Sequence, residues 1–176
     1  MSPAAPHQEA PSATKLVLRA PAAADRSRVR DLIVATRVFR PAEVAIALEV
    51  FDGAVAAPGK DYRAVGAYGD GLLVGWAAFG PTPGTLATWD LYWIAVDPAM
   101  HRLGVGHRLM AACEQTITAE GGRLVVVETS SRADYAPTRA FYRRLGYQAR
   151  AVIPAYYAPG DDLIVFTRYF SPSAGG

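Results

Sequence analysis

Cysteine, charged side chains and long apolar runs are all scarce in this chain of 176 residues. A single cysteine, Cys113, allows no internal disulfide and no Cys-x-x-Cys metal site, which favours a reducing compartment. Charged residues make up 19% of the sequence and the formal net charge is +2, which argues against a nucleic-acid partner. No apolar run approaches the ~18 residues of a membrane span. We therefore predict a soluble cytoplasmic protein with no membrane partner and no metal.

Two glycine patterns of nucleotide-binding proteins are also missing. The dinucleotide-binding fingerprint needs a third glycine where this chain has Leu109, and the phosphate-loop sequence Gly-Lys-Ser/Thr does not occur. What the chain does have is Gly104-Val105-Gly106, placed between an apolar segment and a helical pattern. Such a turn gathers unpaired backbone N–H groups at the positive end of a helix dipole, which suits a phosphate or pyrophosphate. The predicted donors are the amides of residues 102–107.

The spacing of apolar residues predicts a mixed α/β fold of the α+β type. The order βααβββαβαββ indicates a central twisted sheet of about seven strands with helices on both faces. Gly53 is expected to end the second helix. The expected strands are 15–20, 62–68, 72–80, 88–96, 123–129, 147–153 and 163–169, and the expected helices are 22–38, 41–52, 105–120 and 136–145.

The rest of the chain predicts tails and a loop around a single domain over residues 15–170. Residues 1–14 are rich in Ala, Pro and Ser, which predicts a disordered tail rather than a signal peptide. Residues 171–176 are expected to be flexible. Residues 154–162 contain Pro and Gly and predict a loop between the last two strands.

A second motif lies on the last predicted helix, where Phe141-Tyr142 is followed by Gly146-Tyr147. Together with the 88–109 segment, it resembles the GCN5-related N-acetyltransferase (GNAT) family over roughly residues 16–170. The resemblance implies a GNAT-like fold and an acyltransferase that moves an acetyl group from acetyl-coenzyme A (acetyl-CoA) to a primary amine. Both substrates would meet in a ternary complex. His101 and Arg102 depart from the family signature, which usually has Gln or Arg and then another Gly.

The resemblance also implies how the cofactor is held. In the family, the strand matching 88–96 parts from its neighbour, and its backbone pairs with the pantetheine arm. The turn that follows binds the pyrophosphate, and Tyr135 stands where an Asn contact is frequent. The candidate cofactor-binding residues are therefore Ile94, Ala95, Val96, Arg102, Leu103, Gly104, Val105, Gly106, His107 and Tyr135.

Three side chains are candidates for proton transfer. By the resemblance, Tyr142 matches the tyrosine that protonates the departing thiolate, a role that suits a phenol whose free pKa is near ~10. Asp90 matches a carboxylate base found in some members, and Glu128, late in the next strand, is the rival base. The structural alternative for Asp90 is that it ends the strand beside the 81–88 loop.

The acceptor side is the less determined half of the predicted site. Tyr156 and Tyr157 match aromatic residues that frame the acceptor in some family members, and Tyr92 is a further candidate. Strict alternation of side chains would place four residues of the strand on one face: Asp90, Tyr92, Ile94 and Val96. The acceptor is left open among a small amine or amino-acid metabolite and a peptide or protein amino group.

Two other functions remain compatible with the sequence. One is a non-catalytic acyl-CoA-binding regulatory module on the same fold, which the unusual His101 and Arg102 permit. The other is an interaction protein that uses the aromatic segment 154–162 as its contact surface. A homodimer is left open.

Overall fold

The computed structural model describes residues 15–170 and confirms the predicted order of strands and helices. Seven strands form one sheet in the order β1-β2-β3-β4-β5-β7-β6, antiparallel except between β4 and β5. None of the helices in this range is long and apolar enough to cross a membrane. The elements are β1 Leu16–Arg19, α1 Arg26–Thr36, α2 Pro41–Ala56, β2 Arg63–Gly69, β3 Leu72–Pro81, β4 Thr88–Val96, α3 Val105–Ala119, β5 Leu124–Ser130, α4 Ala136–Arg144, β6 Gln148–Ala158 and β7 Asp161–Tyr169.

Two predicted boundaries are wrong. Helix α2 continues through Gly53 to Ala56, and a Cβ at Gly53 would lie 3.1 Å from the Tyr62 ring, so this glycine permits close packing instead of ending the helix. The predicted loop 154–162 is mostly strand, because β6 extends to Ala158 and β7 begins at Asp161. An edge strand with an irregular register tolerates proline, which explains the error. The two predicted tails lie outside the described residues.

The sheet separates two apolar cores. Helices α3 and α4 cover one face, where Leu109, Tyr142 and Phe166 are buried. Helices α1 and α2 cover the other face around Phe51 and Trp76. Helix α1 contributes to this second core through buried residues at i, i+3 and i+4 spacing: Val29, Leu32 and Ile33. Burying each large apolar side chain contributes roughly 1.5–3 kcal/mol.

A β-bulge in β4 changes which side chains share a face. Leu91 pairs with Phe79 and Trp93 pairs with Ala78, so Tyr92 is an extra residue without an opposite partner. The prediction that Asp90 and Tyr92 share one face with Ile94 and Val96 is therefore wrong, because alternation restarts at the bulge. Ile94 and Val96 pack with the α3–α4 core, whereas Trp93 and Ala95 pack with the α1–α2 core.

Strand β4 also separates from β5 partway along its length. The two strands pair only from Thr88 with Leu124 to Leu91 with Val127. Beyond that point β4 remains bonded to β3, and its other edge has no strand partner among the described residues. Residues Ile94, Ala95 and Val96 lie on this unpaired part, which leads directly into the glycine turn.

We expect Leu32→Ala to lower the free energy of unfolding by about 2–5 kcal/mol, because Leu32 is fully buried and its truncation leaves a cavity. Val34→Ala is the matched control on the same helix: Val34 is 54% exposed, and a change within about 0.5 kcal/mol is expected. Urea unfolding of both variants measures the difference. Equal losses would contradict the burial of this face of α1.

Candidate active site

The gap between β4 and β5 opens into a cavity of about 470 Å³. Its walls come from four parts of the chain: β4 at 91–94, β5 and the following loop at 127–132, the α1–α2 region at 39–46, and the β6–β7 hairpin. Tyr135, Thr138 and Tyr142 complete the lining from the region of α4. Most of the wall is apolar, with a few polar groups among it, as is usual for small-molecule sites.

The glycine turn after β4 presents unpaired backbone donors. Arg102 (φ 67°) and Gly104 (φ 77°) both adopt left-handed conformations, which bend the chain into the start of α3. The Arg108 amide is the first in the helix to bond within it, to the Gly104 carbonyl at 3.0 Å. Five amides find no acceptor within residues 15–170, namely those of Arg102, Gly104, Val105, Gly106 and His107.

The turn packs against α4. A Cβ at Gly106 would lie 3.3 Å from Cζ of Phe141, and the His107 ring meets the Phe141 ring edge-on at 5.3 Å. A side chain at Gly106 would therefore enter the space between the turn and α4. The prediction for Leu103 is wrong, because its amide already bonds the Met100 carbonyl at 3.3 Å and its side chain is 60% exposed.

The start of the turn is anchored to α1, which sequence reasoning missed. Arg28 donates hydrogen bonds to the Asp97 carboxylate at 2.5 Å and to the Leu73 carbonyl at 2.9 Å. Asp97 in turn accepts a hydrogen bond from the Ala99 amide at 2.9 Å. The hydrogen bond from the Ala99 amide, and after it the one from Arg28, holds the pKa of Asp97 below its usual value. These contacts hold the segment that leads into the turn against α1 and β3.

Tyr142 lines the cavity from α4 and is 3% exposed. Its ring packs against Phe141, Tyr147 and Phe166, with centroid distances from 5.4 to 6.1 Å. Burial raises the pKa of the Tyr142 hydroxyl well above its ordinary value. The hydroxyl therefore stays protonated at neutral pH and is available as a donor. Tyr135 is also buried, and the Arg132 guanidinium lies over its ring, 5.1 Å from the ring centre.

The two candidate bases occupy different surroundings. Glu128 lines the cavity, and its pKa is raised by burial and, secondly, by the negative charge of Asp90. Asp90 itself accepts a 2.7 Å hydrogen bond from the Thr82 hydroxyl and lies outside the cavity wall. Of the two carboxylates, only Glu128 faces the same cavity as Tyr142.

The predicted acceptor tyrosines are only partly brought together. Tyr92 and Tyr157 line the cavity, whereas Tyr156 is 55% exposed and meets Tyr157 edge-on at 5.0 Å. Burial, with the charge of Asp90 second, raises the pKa of Tyr92 to about 12. Burial, with the charge of Glu128 second, raises the pKa of Tyr157 to about 12. Both phenols are neutral at physiological pH.

Other lining residues were not found from the sequence. Phe39, Arg40 and Glu43 come from the α1–α2 region, which carries no recognisable motif. Asp161 comes from the segment assigned to a loop, where the paired acids Asp161-Asp162 were the available signal. Within residues 15–170, no three His, Cys, Asp or Glu side chains are grouped so as to hold a metal ion.

Comparisons with known proteins agree on one family. The model of the acetyltransferase (GNAT) domain matches residues 60–149. N-alpha-acetyltransferase RimI of Mycobacterium tuberculosis (strain ATCC 25618 / H37Rv) is 36% identical over 122 residues, which are 67% of this chain and 72% of the relative.

Solved structures share the whole architecture. A GNAT-family protein from Desulfovibrio desulfuricans superposes with a TM-score of 0.84 at 38% identity, covering 88% of this chain and 99% of that one. A Salmonella typhimurium protein solved with its cofactor acetyl-CoA has the same fold at 18% identity, with a TM-score of 0.71 over 91% of this chain and 96% of that one. The family model and the two relatives above 30% identity establish that the chain belongs to the GNAT family and is an acetyl-CoA-dependent N-acetyltransferase.

Proposed function

We propose that the protein acetylates a primary amine held in the cavity between β4 and β5, with Glu128 as the base and Tyr142 as the acid. The observation that carries this proposal is that these two side chains, from different elements, line one cavity beside the unpaired edge of β4. The proposed acceptor is a small amine or amino-acid metabolite, or a peptide or protein amino group. The name of the RimI relative, an N-alpha-acetyltransferase, supports the peptide amino terminus.

The unpaired backbone donors fit acetyl-CoA, which supplies the acetyl group as a thioester. We propose that the five free amides of the 102–107 turn bind its pyrophosphate, where their partial charges and the dipole of α3 favour an anion. The free edge of β4 at Ile94, Ala95 and Val96 would bond the pantetheine arm as an added strand. The amides of Ile94 and Val96 would also stabilise a developing oxyanion. Tyr135 is a further proposed contact.

Glu128 is the better-supported base because it faces the cavity and its carboxylate has a raised pKa. An ammonium acceptor must lose a proton before it attacks, and a carboxylate with a raised pKa accepts one more readily. Asp90 accepts a hydrogen bond from Thr82, and we propose that its negative charge raises the pKa of Glu128 while Asp90 itself takes no proton from the acceptor. This assignment chooses between the two candidates left open by the sequence.

Tyr142 is proposed to return a proton to the departing thiolate. The hydroxyl is neutral over the whole physiological range, since burial raises its pKa. The neighbouring aromatic rings hold the side chain in one position, which limits the entropy lost when the reactants align.

The acceptor wall combines aromatic faces with negative charge. Tyr92, Tyr157 and Phe39 supply rings, and Glu43 and Glu128 supply carboxylates. The guanidiniums of Arg40 and Arg132 on the same wall are each paired with an aspartate. The two glutamates and the rings would therefore attract an ammonium group through Coulomb and cation–π interactions. Tyr156, more exposed, is proposed as an outer contact.

We also propose the wider context of the protein. Residues 15–170 are assigned to one acetyltransferase domain, since they share one sheet. A cytoplasmic location is supported by the buried, free thiol of Cys113. A homodimer is supported by the exposed apolar side chains of Val152 and Ile153 on the edge strand β6.

Tyr142→Phe should lower kcat by about 100-fold or more, the usual contribution of a general acid, while acetyl-CoA affinity is unchanged. Tyr147→Phe is the matched control, because it removes a buried hydroxyl that bonds Glu114 at 3.0 Å outside the cavity. Thiol release with an amine panel measures kcat, and calorimetry measures binding. An unchanged kcat in Tyr142→Phe would remove it as the acid, and acetyl-CoA binding without turnover of any amine would favour the regulatory module.

The pH dependence separates the two carboxylates. Since the base must be deprotonated, kcat/KM should rise with pH through the raised pKa of Glu128, and Glu128→Gln should abolish this rise and lower the rate. Asp90→Asn removes the charge that raises the pKa of Glu128, so the rise should move to lower pH with activity retained. If Asp90→Asn loses most of its rate while Glu128→Gln keeps the wild-type pH profile of kcat/KM, Asp90 is the base instead of Glu128.

Gly106→Glu should weaken acetyl-CoA binding by at least about tenfold, because a carboxylate at the turn repels the pyrophosphate at short range. Ala111→Glu adds the same charge on the exposed side of α3 and should bind acetyl-CoA normally. Calorimetric titration of both variants, with circular dichroism as a check of folding, makes the comparison. Equal affinities would exclude the turn as the pyrophosphate site.

A further inference from the structure

Asp161, the first residue of β7, carries a buried carboxylate at the acceptor end of the cavity. It is 4% exposed and is the one charged residue in the buried class among residues 15–170. A buried carboxylate is costly unless hydrogen bonds and opposite charges compensate it. Its partners therefore indicate what the residue is for.

Three partners come from two distant segments. The Ser130 hydroxyl, at the end of β5, donates a hydrogen bond to Oδ1. Arg40, just before α2, donates to Oδ2 at 2.9 Å, and the Arg132 guanidinium lies 3.8 Å from the same oxygen. Asp161 thus joins the β6–β7 hairpin to the end of β5 and to the α1–α2 connection. Asp161 and Arg40 are 121 residues apart in the sequence.

The α1–α2 connection is held at three consecutive residues. Arg132 donates a 2.6 Å hydrogen bond to the Val38 carbonyl. The Phe39 ring packs against Trp93 at 4.9 Å and Tyr135 at 6.3 Å. The guanidinium of Arg40 is bound by Asp161, and its side chain is otherwise 46% exposed. Two contacts therefore attach the α1–α2 connection to the cavity wall: an apolar one through Phe39 and a polar one between Arg40 and Asp161.

This attachment belongs to the acceptor side of the site. Helices α1 and α2 pack on the sheet face opposite α3 and α4, whereas the 102–107 turn packs against Phe141 on the α3–α4 side. The α1–α2 connection nevertheless lines the cavity through Phe39, Arg40 and Glu43. Its position should affect the space for the acceptor and leave the cofactor turn unaffected.

We propose that Asp161 is a positioning residue for acceptor binding: by holding Arg40, it keeps the 38–43 segment against the cavity and completes the acceptor wall. The proposal rests on the acetyl transfer assigned to this cavity above. It makes no claim that Asp161 touches either substrate. Its effect passes through Arg40, so the two residues should act as a unit.

The test compares Asp161→Asn with Arg40→Gln, using the most active amine of the panel. Each variant should raise KM for the amine by about 10-fold or more, the scale of a lost charge-assisted hydrogen bond. KM for acetyl-CoA should stay within about twofold of wild type. The double variant should be no worse than either single one, since coupled residues are not additive. The matched control is Asp52→Asn, which breaks an exposed ion pair between α2 and α1 at 2.8 Å and should leave both KM values unchanged.

Hydrogen exchange makes the test independent of turnover. In Asp161→Asn and in Arg40→Gln, amides of residues 37–43 should exchange faster, while those of 102–110 should not change. Unchanged exchange at 37–43, an unchanged amine KM, or equal increases in both KM values would overturn the proposal. Should wild type acetylate no amine, the proposed function fails by itself, and the exchange data still decide whether Asp161 holds the segment.

Discussion

The hydrogen bonding of β4 is the constraint on which the site depends. The strand is bonded along its whole length to β3 but to β5 only as far as Leu91. The bulge at Tyr92 falls where β5 is lost, and it reverses the faces of the residues that follow. The end of the β4–β5 pairing supplies a free strand edge and the opening of a cavity. A fully paired sheet would have neither.

Elements on the two faces of the sheet contribute different parts of the proposed site. On the α3–α4 side, backbone amides and a helix dipole favour an anion, and Arg28 reaches from α1 to Asp97 at the start of the turn that presents them. The α1–α2 connection adds Phe39 and Glu43, which favour a cation, and also Arg40, whose charge is paired with Asp161.

The sequence predicted the features that depend on neighbouring residues and missed those that depend on residues far apart in the chain. The turn at 104–106, Phe141-Tyr142 and the order of elements were found because each depends on neighbouring residues: helical spacing, helix ends and glycine conformations. The prediction failed at 154–162, where β6 continues to Ala158 although its register with β7 is interrupted between Ile153 and Ala158, and such an interruption accommodates Pro154. It also failed for the faces of β4, since a bulge depends on the partner strand and leaves no mark in the alternation of one strand.

The sequence by itself determined the family, the cofactor and, apart from Leu103, the positions of the unpaired backbone amides, because these follow from local motifs. Only the tertiary structure decided which carboxylate faces the cavity, since Asp90 and Glu128 are equivalent as residue types and differ through Thr82 and the wall around them. The same holds for Asp161 and Arg40, whose contact joins residues far apart in the chain. Neighbouring residues specify helices and turns, but packing across the sheet decides which side chains share a cavity.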